Sequence, residues 1–198
     1  MSEPKSVADR VRVKAIQVLS DNWYILRKAT FDWRRKDGSW QTQEREAYDR
    51  GNGVGLLPYN LANRTVILTQ QFRYPAFSNG YDGLLIEVPA GLLDDADPEA
   101  RVRSEVEEEI GYRLGEIELV FETFMSPGSV TERLHLFMAE YDASMRIGDG
   151  GGLEGEGEEI EVLELPFDEA MAMVADGRIR DAKTVMLLQH AALGVFGA

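Results

Sequence analysis

The sequence predicts a mixed α/β (α+β) fold, a mostly β core flanked by three helices and preceded by a small antiparallel β subdomain. Three observations carry this. Strand-like runs bounded by turn residues recur from residue 11 to residue 165. Three stretches, about 98–110, 167–176 and 182–193, read as helices. No linker between them is long enough to separate two independent domains.

Length and composition set the outer bounds. A chain of 198 residues, 44% of them hydrophobic, fits one domain with a substantial core plus a small appendage. No run approaches 18 continuous apolar residues, and Met1-Ser-Glu-Pro-Lys5 lacks the apolar centre of a secretory signal. The expectation is therefore a cytoplasmic protein with no membrane partner. With no cysteine, disulfides, thiolate metal sites and a thiol nucleophile are excluded. The net charge of −14 argues against nonspecific nucleic-acid binding, which needs Lys and Arg surfaces. It also repels anionic ligands at long range, so a phosphate ligand must be met by a metal or by local basic residues.

Residues 11–18 and 23–27 read as strands around a Ser20-Asp21-Asn22 turn. Residues 31–33 and 40–42 flank Lys36-Asp37-Gly38-Ser39, an Asp-Gly hairpin signal. Residues 1–50 thus form a small sheet with few apolar residues of its own, which is marginal alone and calls for a partner surface. Gly51-Asn-Gly-Val-Gly55 is glycine-rich, but a short strand to Tyr59 follows it, where a dinucleotide fingerprint requires a helix. Thr65–Gln70 reads as a buried strand and Gly83–Val88 as another. Strands 116–123 and 132–140 follow, then a Gly- and Glu-rich tract over 148–159, expected to be mobile, and a strand over 160–165. His135 and His190 read as structural, and no nucleophile motif is present.

Residues 91–112 carry the chemistry. Asp97 caps a helix that starts at Pro98 and stops at Gly111. At about 100° per residue, Val102, Val106 and Ile110 form an inward stripe. Glu105, Glu108 and Glu109 gather on an adjacent arc, and Glu107 points elsewhere. Like charges at this spacing cost about 0.2–0.5 kcal/mol per pair. A divalent cation would remove the repulsion, and hard cations such as Mg²⁺ prefer carboxylate oxygens.

Glu105-Val-Glu-Glu-Glu-Ile-Gly-Tyr112 resembles the second half of the box that defines the Nudix family. The first half departs from it: Asp97 stands for Glu, Ser104 for Arg, and the spacer is one residue short. The brace those two residues make in the family is therefore lost, or replaced by Arg101 or Arg103. The resemblance implies a Nudix-type α/β/α sandwich with a mixed sheet over residues 51–198. It also implies Mg²⁺ (Mn²⁺ as a possible substitute) on Glu105, Glu109 and the Ala90 carbonyl, with Gly91 leaving room for close approach. Glu108 would be a third ligand or a proton acceptor. From the loop, Glu158 matches the family position for a base or metal ligand, among Glu154, Glu156, Glu158 and Glu159.

Further stretches resemble the nucleoside-diphosphate-sugar pyrophosphatase branch of that family. They are 19–22, 35–38, 45–53, 71–73, 125–128 and 179–184. They fit the type acting on GDP-mannose best, with ADP-ribose the alternative substrate. That match implies a base stacked on Trp23, phosphate on Arg45 and Arg73, base or sugar on Glu46 and Glu132, and Lys183 towards the sugar. It also implies a homodimer formed through residues 1–50. Two rival readings are a nucleotide-sugar sensor without catalysis and a hydrolase of damaged nucleoside triphosphates. The intact Glu105, Glu108, Glu109 set speaks against the first, and the N-terminal sheet against the second.

Overall fold

The computed structural model describes residues 6–153, 155 and 157–197. They fall into two compact units: residues up to Gly51 together with Ser126–Glu132, and Asn52–Met125 together with the chain from Arg133.

The first unit is an antiparallel meander of β1 (Val11–Asp21), β2 (Ile25–Arg34) and β3 (Trp40–Asp49). The β2–β3 turn forms because Asp37 accepts from the Ser39 amide at 2.9 Å and Gly38 takes φ +87°. Two indoles are covered by guanidinium groups, Arg10 lying 4.2 Å over Trp33 and Arg12 3.9 Å over Trp40. The segment 126–132 joins through Tyr48, whose amide donates to Ser129 at 2.8 Å and whose carbonyl accepts from Thr131 at 3.1 Å. The strands run longer than their apolar patterns predict. Ion pairs across them, Lys14–Asp32 at 2.8 Å and Lys28–Glu44 at 2.7 Å, hold polar residues in register without alternation. Val13, Ile16 and Val18 of β1 remain exposed.

The larger unit is a mixed sheet between helices. Its strands are β4 (Gly53–Asn60), β5 (Thr65–Phe72), β6 (Leu84–Glu87), β7 (Ala90–Leu92), β8 (Glu118–Phe124), β9 (Arg133–Glu140) and β10 (Glu161–Pro166). The order β10-β5-β4-β9-β8 has one parallel pair, β4 with β9, while β6 pairs with β5 and β7 with β4. The helices are α1 (Tyr74–Ser78), α2 (Pro98–Ile110), α3 (Phe167–Ala175) and α4 (Ala182–Leu193).

Strand alternation divides the core in two. Val66, Leu68, Leu134 and Leu136 pack with Phe167, Leu187 and Leu188 on the α3–α4 side. Ile67, Val54, Leu56 and Phe137 pack with Val102, Val106 and Ile110 of α2 on the other. This is the predicted α/β sandwich. Gly53 and Gly55 are strand residues. The five-residue α1 and three-residue β7 were not anticipated, being too short to show a period. Among the described residues no helix is long and apolar enough to cross a membrane.

Helix α2 is fixed at both ends. Asp97 accepts from the Glu99 and Ala100 amides at 3.1 Å each, and Gly111 takes the left-handed φ of +73°. Its last turn has no basic residue. The chain at 147–152 supplies the missing donors instead. The Ile147 and Gly148 amides donate to the Gly111 carbonyl at 2.8 and 3.1 Å. Those of Gly151 and Gly152 donate to Glu109 and Glu108 at 2.9 and 3.2 Å. The first half of the tract expected to be mobile is thus fastened to the helix. Glycine makes this possible, because a Cβ on Gly150 would collide with the Glu109 carbonyl. Glu154 and Glu156 lie outside the described residues.

Candidate active site

The inward stripe of α2 turns Glu105 and Glu109 under β7, where they are 5% and 2% exposed. Glu109 Oε2 accepts from the Ala90 amide at 3.2 Å. Gly91 lies against Glu105, and a Cβ there would fall inside that carboxylate. Burial, then the neighbouring Glu105 and Glu158 charges, push the Glu109 carboxyl up to about 8, against the opposing pull of the Ala90 amide. Two buried carboxylates one helical turn apart, one of them resisting ionisation, are what a divalent cation would relieve.

The surroundings decide how far the donor set fits a metal. Arg101 pairs with Glu105, and its Nε donates to the Leu92 carbonyl at 2.9 Å, so it ties β7 to α2. Arg103 instead reaches Glu99 and the Leu114 carbonyl. The loop-to-helix brace is therefore made by Arg101. Ser104, at the position of the family's arginine, donates to Glu108 Oε1 at 2.6 Å. Glu107 points away and pairs with Arg113 at 2.8 Å. Among the described residues no three acidic or histidine side chains stand together as a ready metal cage. Glu105 and Glu109 beside the Ala90–Gly91 backbone suit an ion that takes one or two carboxylates and fills its shell with substrate oxygens and water, as Mg²⁺ does.

Glu158 accepts from the Leu153 amide at 3.1 Å through Oε2. With Arg73, Gln71, Phe72 and Glu159 it lines an open groove of about 990 Å³. Arg73 and Lys183, expected on phosphate and sugar, both grip Glu87. Arg73 Nε and Nη2 reach its two oxygens at 3.1 and 3.0 Å, and Lys183 Nζ lies 2.8 Å from Oε2 and 3.0 Å from Asp181. Sequence reasoning missed Glu87. The available signal was a charged residue inside the apolar run Leu84-Leu-Ile-Glu-Val88, which must be paired to be buried.

In the smaller unit, Trp23 is 85% exposed in the bend between β1 and β2. It meets Tyr24 edge-on at 6.3 Å, Arg50 lies 5.6 Å over Tyr24, and Arg50 approaches Glu132 at 3.5 Å. Trp23 and Glu132 are therefore linked through two side chains. Arg45 and Glu46 are successive residues of β3 and face opposite sides of the sheet. Arg45 turns back onto the Glu44 carbonyl and Gln43.

Residues 10–48 match a family model described as the GDP-mannose pyrophosphatase NudK N-terminal domain, and residues 49–188 match that of the NUDIX domain. The chain is 55% identical over 192 residues to a GDP-mannose pyrophosphatase of Pectobacterium atrosepticum, covering 96% of this chain and 95% of that one. It is 54% identical over 175 residues to a GDP-mannose pyrophosphatase of Cronobacter sakazakii, covering 88% and 91%. A crystal structure titled ADP compounds hydrolase superposes with a TM-score of 0.69 at 16% identity, over 98% of this chain and 99% of that chain, which is a likeness of fold.

Proposed function

Since the chain belongs to the Nudix family of hydrolases, we propose that it cleaves the pyrophosphate bond of a nucleoside diphosphate sugar, GDP-mannose, to GMP and mannose 1-phosphate. The observation that carries the chemistry is the buried Glu105–Glu109 pair against Ala90 and Gly91. The choice of GDP-mannose is supported by the chain-long identity to enzymes of that name.

In this reading Glu105, Glu109 and the Ala90 carbonyl hold Mg²⁺, or Mn²⁺ in its place, with Glu158 as a further ligand or the base. Bound there, the ion supplies charge neutralisation on the phosphates and a lowered pKa for the attacking water. Water adds to one phosphorus, the bridging P–O bond breaks, and the other phosphate leaves as a monoester. Glu158, on its loop, takes the proton of that water, with Glu108 the alternative acceptor. Arg73 offers phosphate a planar set of donors. Lys183 stands on the sugar side. In the smaller unit Trp23 stacks on the base, Arg45 meets phosphate, and Glu46 and Glu132 bind base or sugar. Residues 1–50 form the dimer-making unit and residues 51–198 the hydrolase.

The test is a substrate panel with the purified protein. Turnover of GDP-mannose to the two monophosphates should exceed that of ADP-ribose, vanish with a chelator and return with Mg²⁺. Preference for ADP-ribose, or no turnover of any nucleotide sugar, would overturn the proposal.

A further inference from the structure

We propose that Glu87 is a positioning residue for this reaction: it fixes the direction in which the Arg73 guanidinium meets phosphate. This rests on the pyrophosphatase reading above.

Glu87 ends β6 and is 2% exposed, yet its carboxylate ties that strand to the end of β5 and to α4. From the end of β5, Arg73 forks onto both oxygens at 3.1 and 3.0 Å. From the first turn of α4, Lys183 takes Oε2 at 2.8 Å and is itself held by Asp181 at 3.0 Å. Asp181 in turn caps α4 through the Thr184 amide at 3.0 Å, and Thr184 Oγ1 accepts from the Val88 amide at 2.8 Å, next to Glu87. The carboxylate therefore has no freedom to rotate away. Burial alone would raise it, but Lys183 and then Arg73 hold it down at about 2, so it stays ionised.

The fork uses Nε and one Nη2 hydrogen of Arg73. A guanidinium has five N–H donors in one plane. Of the three that remain, one Nη1 hydrogen and the second Nη2 hydrogen form a second edge, while the other Nη1 hydrogen faces back along the side chain. The Arg73 side chain is 39% exposed and lines the groove that also holds Glu158. Glu87 thus occupies the inner edge of the guanidinium, leaving the outer edge for an oxyanion in the groove. Stability alone gives little reason for such a trio, because buried ion pairs often gain nothing over apolar residues of similar volume. A carboxylate adds direction, which apolar packing cannot supply.

A double-variant cycle tests this. Glu87→Gln and Arg73→Ala should each raise KM for GDP-mannose about tenfold or more while kcat stays within about threefold, the pattern of lost binding to a group held in both ground and transition states. The double variant should lose clearly less than the product of the two single losses, because Glu87 acts in good part through Arg73, its hold on Lys183 being the remainder. Independent losses that multiply in the double variant would overturn the proposal, as would a Glu87→Gln KM within about twofold of wild type. Circular dichroism checks folding. If Glu87→Gln does not fold, Glu87→Asp, which keeps the charge but withdraws the oxygens by one methylene, enters the same cycle under the same criteria. If the wild type turns over no nucleotide sugar, the functional reading fails, and the cycle is read on calorimetric dissociation constants for GDP with Mg²⁺.

Discussion

The Ala90 amide donates to Glu109 Oε2 at 3.2 Å, which places a carboxylate of the box helix against the strand that leads into it. The same strand brings Gly91 onto Glu105. Two backbone positions and two side chains are thereby fixed as one unit, and the chemistry follows from keeping them so.

We predict that Glu109→Gln lowers kcat by on the order of a thousandfold, about 4 kcal/mol of barrier. Folding should survive, since burial already disfavours the ionised form of Glu109 and the amide keeps its shape with no charge to bury. Near-normal turnover at saturating Mg²⁺ would sink the assignment. Glu107→Gln breaks only an exposed pair with Arg113 and should be close to silent.

The loop carries a second prediction. Glu158→Gln should cut kcat strongly with KM changed only a few-fold, because a base acts mainly in the transition state. Gly150→Ala should have a similar direction of effect by another route, since its Cβ would prise the chain at 147–152 off α2. Proteolysis within that tract, compared between wild type and Gly150→Ala, separates the two causes. If Glu159→Gln carries the loss and Glu158→Gln does not, the base is misassigned by one residue.

Assembly gives a third. β1 exposes Val13, Ile16 and Val18, apolar surface on which the proposed second copy would pack. Light scattering should show a dimer, and Ile16→Asp should shift it towards monomer. A wild-type monomer at every concentration refutes the pairing.

Acid provides the fourth. Glu87 is depressed to about 2 in the folded protein, below its ordinary value of 4.5. A depressed carboxyl binds fewer protons when folded, so its contribution is present above pH about 4.5 and is lost as pH falls through about 2. Thermal melts between pH 5 and pH 3 should fall more steeply for wild type than for Glu87→Gln. Parallel slopes would mean that Glu87 is not held as an ion.

The box helix was legible because its signals are local. Asp97, Pro98 and Gly111 mark its ends, and Val102, Val106 and Ile110 mark its inner face. The exit of Glu107 from the carboxylate arc follows from the same period. What could not be read depends on partners distant in sequence. Ser104 holding Glu108 is a rotamer choice, and Arg101 rather than Arg103 bracing β7 depends on where Leu92 falls. Glu87 needed Lys183, 96 residues away, to make sense of its burial. The N-terminal strands were read short because charge pairs across them replaced the apolar alternation that marks a strand. The tract at 148–159 was read as mobile from composition, whereas its glycines serve hydrogen-bond geometry in the first half.

That fastening has a consequence for how such a protein can diversify. Gly151 is tied to α2 through its amide and to Ile160 through its carbonyl, which accepts at 3.2 Å, so the chain departs from and returns to one fixed point beside the helix. Closing an arc costs little more when it is lengthened, about 0.6 kcal/mol per doubling. Insertions and deletions there can accumulate without disturbing the helix that bears Glu105 and Glu109. The stretch is an exchangeable cassette that carries its own functional group: remodelling it would re-aim Glu158, the proposed base, while the helix-borne pair Glu105 and Glu109 is inherited unchanged.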